Sequence, residues 1–453
     1  MPRMLRMAAM AAAVTLAPAA ARAQFGVVNP PAGSQGTFAI TNAHIFPVSG
    51  PEIPRGTLVI SGGKITAVGA NVSVPAGAKV IDATGLSVYP GMMDGASTLA
   101  LSEIGQGAAS TVDDAEVGNF NPNAQAFYGI NPHSAIIAIT RVVGITQAVS
   151  RPISGVMSGQ AALIRLEGST APELSMVQDI AMVVTLPGSG GGRRGFGGFG
   201  RGGGGNAAQQ QKQQMDSLEA LIANTRAYIK AWNAYGANNA LPRPAHDVVL
   251  ESMVPMVRGE QLVMFNADRE ADIRKAVEFA ENNELRPVIV GGRESYKMAG
   301  YLKEHHVPVV LTGVRELPEN EDEPYDVNFS TPGKLAAAGV QFAISSGESP
   351  PDMRDLPYVA GEAAGFGLSK EDALRSVTLW PAQIYGVADQ VGSLDVGKVA
   401  NVVVTTGDLL EPRTDTKYLL EPRTDTKYLF IDGRLVPLNT KHSELYEAFK
   451  NRK

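Results

Sequence analysis

Short apolar runs separated by turn residues recur along the chain, and their spacing indicates its fold. Near both ends the runs are β-like and punctuated by glycine and proline, within residues 37–90 and again at 400–405 and 428–436. Between the ends, strand-like runs alternate with stretches in which apolar residues recur every three or four positions. This alternation predicts a parallel α/β barrel between two β-rich ends.

The block 261–311 shows the alternation most clearly. A strand at 261–265 leads into a predicted helix over 268–283, and Asp268 is placed to be its N-cap. An earlier run at 160–164 is a further candidate strand, which the barrel pattern predicts to be parallel to its neighbours. The apolar residues expected to share the buried face of the helix are Ile273, Ala276, Val277 and Ala280.

The first 23 residues are typical of a secretory signal. Arg3 and Arg6 precede an Ala-rich apolar run, and Ala21 and Ala23 form a small-x-small cleavage site. We expect cleavage near Ala23 and a periplasmic or secreted protein. No later run approaches ~20 consecutive apolar residues, so we expect no membrane span after cleavage.

Composition limits the functional classes. A net charge of −6 argues against nucleic acid as a partner. The chain has no cysteine, which excludes a thiolate nucleophile and a cysteine-ligated zinc site. A segment over 188–214 is glycine-rich and then glutamine-rich, and we expect it to be a loop inserted into the barrel because so much glycine is costly to order.

Several motifs occur in an order that resembles the amidohydrolase superfamily, particularly its imidazolonepropionase-like and dihydroorotase-like members. The motifs are Gly62-Gly-Lys-Ile-x-Ala-Val-Gly, Val80-Ile-Asp-Ala-x-Gly, Pro90-Gly-x-x-Asp94, Ala373-Leu-Arg-Ser-Val-Thr-Leu-x-Pro-Ala382 and Gly392-Ser-Leu-Asp-Val-Gly-Lys398. The resemblance implies an α/β fold, a TIM-like (β/α)8 barrel with a composite β-sandwich built from both chain ends. It also implies hydrolysis of carbon–nitrogen bonds in small amides or peptides, with zinc or another divalent metal.

On this resemblance the chain divides into parts. Residues 24–90 and 395–440 would form the β-sandwich, 91–394 the barrel with its inserted segment 188–214, and 441–453 a tail.

The residues that would bind the metal differ from the family pattern. Members carry Pro-Gly-x-x-Asp-x-His-x-His, whereas Ala96 and Thr98 stand at the two histidine positions here. Asn266 ends a strand where a histidine would be expected, and Gly347 stands near the position of the aspartate. Glu348 is displaced by one residue, which on an extended strand would turn it to the opposite face. We therefore predict no metal site and no cofactor.

Few other candidates for catalysis remain. Asp268 and Glu348 could do acid–base chemistry if burial raised the pKa of one of them. Of the six histidines, His133 is the one expected near the barrel mouth, and a catalytic zinc normally takes three protein ligands. Two functions stay open: a divergent hydrolase of small amides or peptides with an altered or metal-free site, and a non-catalytic pseudoenzyme that uses the barrel for binding or assembly, with other copies of itself as possible partners.

One segment is repeated letter for letter. Residues 409–418 recur as 419–428. Because both copies carry the same loop-then-strand pattern, we expect them to compete for one strand position and one copy to loop out.

Overall fold

The computed structural model describes residues 32–103, 112–189, 207–411 and 425–450. The predicted signal segment, most of the glycine-rich segment and residues 412–424 of the repeat lie outside these ranges. Within them, no helix is both long enough and apolar enough to cross a bilayer.

The two ends of the chain form one eight-stranded sheet. Its strand order is β16-β15-β14-β5-β1-β2-β3, with β4 also pairing with β1. Strand β14 pairs antiparallel with β5 through Val403 and Tyr89, which joins the carboxy-terminal strands to the amino-terminal ones. The composite β-structure predicted from the two ends is confirmed. The strands are β1 (Phe38–Ile45), β2 (Ile53–Ser61), β3 (Lys64–Gly69), β4 (Lys79–Asp82), β5 (Ser87–Pro90), β14 (Val402–Thr405), β15 (Thr426–Ile431) and β16 (Arg434–Val436).

The middle of the chain forms a second eight-stranded sheet, which curls into a nearly closed barrel. Its strands pair in chain order from β6 to β13. The barrel predicted from the sequence is thus confirmed. The strands are β6 (Met92–Ser97), β7 (Ile145–Ser150), β8 (Met157–Arg165), β9 (Ser175–Val184), β10 (Leu262–Ala267), β11 (Arg286–Gly291), β12 (Val309–Leu311) and β13 (Phe342–Ile344).

One strand departs from the predicted parallel arrangement. Strand β8, which contains the run 160–164, is antiparallel to both β7 and β9. The expectation that it would be parallel was wrong because only residues 151–156 connect β7 to β8. A parallel pair needs a crossover of about a dozen residues or more, which this connection cannot supply.

Helices cover the outside of the barrel. In the helix Glu270–Asn282, numbered α7, the predicted buried face is confirmed, since Ile273, Ala276, Val277 and Ala280 are all buried. The helix begins at Glu270 with Arg269 at the N-cap position, so the expected N-cap role of Asp268 was wrong. The helices are α1 (Ala126–Gly129), α2 (Ala135–Arg141), α3 (Ala171–Leu174), α4 (Ala207–Ala237), α5 (Val248–Ser252), α6 (Val254–Val257), α7 (Glu270–Asn282), α8 (Ala299–Glu304), α9 (Val327–Ala338), α10 (Leu356–Gly365), α11 (Lys370–Ser376), α12 (Leu379–Ile384) and α13 (Lys441–Phe449), with 3-10 turns at Ser295–Met298 and Pro350–Asp355.

Side chains from all eight barrel strands pack together in one interior cluster. Strand residues alternate between this interior and the layer beneath the helices, as the two-residue period of a strand requires. Tyr385, just after α12, packs against the interior, and its hydroxyl donates to the carbonyl of Gly95 at 2.5 Å. The strand residues in the interior include Met93, Val149, Leu163, Val183, Met264, Val288, Val310 and Ala343.

Candidate active site at the barrel mouth

The carboxyl ends of the parallel strands define the barrel mouth, which is where barrel enzymes place their active sites. Arg151 follows β7, Asn266 lies at the end of β10, and Glu348 lies in the loop after β13. The structure brings these three side chains together. Thr98, just after β6, joins them by donating its hydroxyl to the backbone carbonyl of Glu348 at 2.8 Å.

Arg151 is the centre of this group, and our reading of the sequence missed it. Its side chain is 2 % exposed. One terminal nitrogen, Nη1, donates to Asn266 Oδ1 at 3.0 Å, and the other, Nη2, donates to Glu348 Oε1 at 3.1 Å. Asn266 in turn donates through Nδ2 to Thr185 Oγ1 at 2.8 Å. A buried guanidinium therefore links the ends of three barrel strands.

Glu348 does not point away from the mouth, so that expectation was wrong. The two-residue alternation applies only along an extended strand, and β13 already ends at Ile344. Three residues later, Gly347 has φ of +83°, a left-handed conformation that side chains rarely adopt. The chain thus turns before Glu348 and directs its carboxylate, in a side chain 33 % exposed, towards Arg151.

The two positions that carry histidines in the family are fully enclosed. Ala96 is 0 % exposed and belongs to the barrel interior. Its backbone N–H donates to Ser345 Oγ at 3.1 Å and to Asp94 Oδ1 at 3.2 Å. Thr98 is also buried, with its hydroxyl committed to the Glu348 carbonyl. Neither side chain presents an imidazole-like donor.

Asp94 closes the gap between the end strands β6 and β13. Its carboxylate accepts hydrogen bonds from the hydroxyls of Ser345 and Ser346, and from the backbone N–H of Ser346 at 3.2 Å. Burial raises the pKa of Asp94, although the hydrogen bonds from Ser345 and Ser346 oppose that rise. This carboxyl, closed to solvent, therefore links β6 to the residues that follow β13.

The other two candidates lie outside the Arg151 group. Asp268 follows β10, and its Oδ1 lies 4.0 Å from Arg293 Nε and accepts from the Arg293 backbone N–H at 3.4 Å. Burial raises the pKa of Asp268, and the Arg293 charge works against that rise. His133 is exposed in the loop before α2, where its backbone N–H donates to Asn131 Oδ1 at 3.0 Å.

The residues at the mouth do not fit the divalent metal that the family implies. They supply one carboxylate, an amide oxygen and a hydroxyl, and the first two already accept from Arg151. A guanidinium held among them repels a second cation. Across the described part of the chain, no three histidine, cysteine, aspartate or glutamate side chains are grouped so that they could hold a metal ion.

Comparison with known proteins agrees with the fold. Residues 326–436 match the model of the amidohydrolase family. An amidohydrolase from Thermotoga maritima MSB8 superposes with a TM-score of 0.75 at 24 % identity, covering 88 % of this chain and 99 % of that one. No curated protein matches the sequence.

Two further solved structures share the fold at lower similarity. A molinate hydrolase gives a TM-score of 0.55 at 17 % identity, covering 90 % of this chain and 96 % of that one. A prolidase complexed with N-methylphosphonate-L-proline gives 0.52 at 17 % identity, covering 88 % and 99 %. The fold and the match of residues 326–436 both make this chain similar to amidohydrolase-type barrel proteins. The resemblance to the amidohydrolase superfamily is thereby confirmed.

Proposed function

We propose that this protein is a metal-independent member of the amidohydrolase superfamily, in which the barrel serves as a non-catalytic scaffold for binding or assembly. One observation carries the proposal: Arg151 bridges Asn266 and Glu348 where strand-end ligands would otherwise hold a metal. The guanidinium supplies the positive charge at the mouth, but it has no open coordination position and cannot activate a water as a metal does.

The residues around Arg151 support the proposal. Asn266 is oriented by its bond to Thr185, so its oxygen faces the guanidinium. Thr98 fixes the backbone of Glu348. Asn266 and Glu348 thus both accept from Arg151, and neither is left as a free base beside it.

A divergent hydrolase is the second candidate, and Asp268 favours it. This aspartate follows β10 with a side chain 30 % exposed, and burial raises its pKa, which favours the protonated form that a general acid requires. Neighbours in fold include a prolidase and a molinate hydrolase, so small amides or peptides would be its substrates.

Hydrolysis assays separate the candidates. Protein dialysed against chelator, with and without added zinc, is tested on a panel of amides, cyclic amides and dipeptides. We expect no turnover in either state. Turnover that requires zinc would overturn the proposal. Zinc-independent turnover that Asp268→Asn abolishes would establish the second candidate, with Asp216→Asn, an exposed aspartate on α4, as the control.

The cellular setting is part of the proposal. We propose export to the periplasm or beyond through residues 1–23, and self-association as the assembly that the scaffold supports. Cell fractionation with sequencing of the mature amino terminus tests the first, and sedimentation velocity tests the second. Cytoplasmic, uncleaved protein or a strictly monomeric species would contradict the respective statement.

A further inference from the structure

The connection between β12 and α9 is long and lies at the surface of the barrel mouth. It runs over residues 312–326 and contains no helix or strand. None of residues 315–326 is buried, and their two large apolar side chains, Leu317 and Tyr325, are 80 % and 75 % exposed. Irregular connections of this length are uncommon in compact domains and are often functional. Burial of apolar side chains therefore does not hold this segment in place.

Both ends of the exposed segment are fixed at one place. Asn328, in the first turn of α9 and 5 % exposed, donates through Nδ2 to the carbonyl of Glu316 at 2.8 Å and to that of Leu317 at 3.2 Å. The chain thus leaves this point after residue 317 and returns to it at the start of α9. Residues 318–326, which we call the flap, form a surface loop with adjacent ends. Such a loop can move as a unit without displacing β12 or α9.

Ion pairs fasten the flap to two neighbouring connections of the mouth. One oxygen of Glu319, Oε1, lies 2.7 Å from Nη2 of Arg269, which follows β10. The other, Oε2, lies 3.9 Å from Nη1 of Arg293, which follows β11. Glu323 Oε1 accepts from Nζ of Lys297, also after β11, at 3.3 Å. Because the carboxyl ends of parallel strands share one rim, these contacts place the flap on the β10–β12 side of the mouth.

The hold on the flap is electrostatic and partly open to solvent. In the part of the chain that the structure describes, the hydrogen bonds and ion pairs from the flap to the connections after β10 and β11 are those of Glu319 and Glu323 alone. The Arg269 side chain is 51 % exposed and that of Lys297 is 34 % exposed. Ion pairs near the surface stabilise weakly, and dissolved salt screens them. The closed position of the flap should therefore depend on ionic strength.

We propose that the flap is a salt-dependent gate at the barrel mouth. At low ionic strength the ion pairs of Glu319 and Glu323 hold it against the rim, and screening them lets it swing outwards about the Asn328 contact. It lies beside Asp268, because Arg293 Nε is 4.0 Å from Asp268 Oδ1 while Arg293 Nη1 is 3.9 Å from Glu319. Opening the flap thus widens access to the Asp268 side of the mouth. The gate operates whether or not the mouth is catalytic.

The sequence has no cysteine, so spin labels can be placed on introduced cysteines in the full chain. One label is carried by Glu321→Cys on the flap and the other by Glu278→Cys on α7, both at exposed positions. Double electron–electron resonance measures the distances between the labels. From ~0.01 M to ~1 M salt the Debye length falls from about 30 Å to about 3 Å, and we expect the share of longer distances to rise about threefold or more. Glu278→Cys with Ala337→Cys, on α9, is the control pair and should keep one distance at both salt concentrations.

Removing charges from the flap tests the same contacts without added salt. Glu319→Gln with Glu323→Gln should produce the longer distances already at low ionic strength. The matched control is Asp322→Asn with Asp326→Asn, which also removes two charges from the flap, although neither aspartate has an ion-pair partner among the described residues. It should leave the distances unchanged. Distances that respond neither to salt nor to the glutamate variant would overturn the proposal, as would equal changes in the control pair or the control variant.

Discussion

Replacing Arg151 by methionine tests whether the guanidinium holds the barrel mouth together. The substitution keeps much of the side-chain volume but removes the two hydrogen bonds that Arg151 donates to Glu348 Oε1 and Asn266 Oδ1. Removing one partner of a buried ion pair costs about 3–5 kcal/mol. Because Glu348 is 33 % exposed, water recovers part of that loss, and we expect the free energy of unfolding to fall by about 2–3 kcal/mol.

Urea denaturation followed by circular dichroism measures the change. Arg269→Met is the matched control: its partner is Glu319, the arginine is 51 % exposed, and we expect little or no change in the free energy of unfolding. The double variant Arg151→Met, Glu348→Gln removes both charges of the pair, so its loss should be smaller than the sum of the two single losses by about 1 kcal/mol or more. Arg151→Met behaving like the control, with additive losses in the cycle, would refute the reasoning.

Three further predictions follow from the structure. Histidines at Ala96 and Thr98 should not create zinc-dependent hydrolysis, because the partner ligands are absent, and crowding the interior around Ala96 should cost about 1–3 kcal/mol. Deleting residues 409–418 should leave the melting temperature unchanged or raise it, because Leu419 and Leu420 then follow Asp408 and replace the buried Leu409 and Leu410. Burial raises the pKa of Asp94 in the folded state above the 3.8 of an ordinary aspartate, so the folded state binds more protons than the unfolded state there. Stability should therefore fall as pH rises from 3.8 through the folded pKa, and Asp94→Asn should remove this part of the pH dependence.

Each of these has a distinct contrary result. Zinc-dependent turnover by the double histidine variant would show that further ligands lie within reach of the mouth. A large drop in melting temperature after the deletion would show that both copies of the repeat are used. For Asp94, the difference between wild-type and variant melting curves across pH 4–8 is the readout, and a difference independent of pH would contradict the raised pKa.

Local patterns in the sequence were sufficient to predict many of the strands and helices. The strands β10 and β11 contain continuous apolar runs at 262–265 and 288–290, and α7 carries its buried residues at helical spacing, so each could be recognised from neighbouring residues alone. Strand direction is different, because an apolar run reads the same in either direction. The reversal of β8 depends on the short connection 151–156, and that length was the available signal.

The site was harder to predict because its contacts join distant parts of the chain. Arg151 meets Asn266 and Glu348, which are 115 and 197 residues away. The only local signal for Arg151 was its position, as a charged residue directly after β7, whose residues are all buried. The substitutions at Ala96 and Thr98 could be recognised from the motif, whereas the position of the Arg151 guanidinium at the mouth could not.

The central claim is that a guanidinium, and not a metal ion, provides the positive charge at the barrel mouth. Elemental analysis of protein purified without chelator, followed by equilibrium dialysis against zinc, tests it most directly. We predict metal far below one equivalent per chain, and no gain in zinc binding by wild-type protein over Arg151→Met. One or more equivalents of tightly held divalent metal, lost when Glu348 or Asn266 is replaced by alanine, would contradict the account.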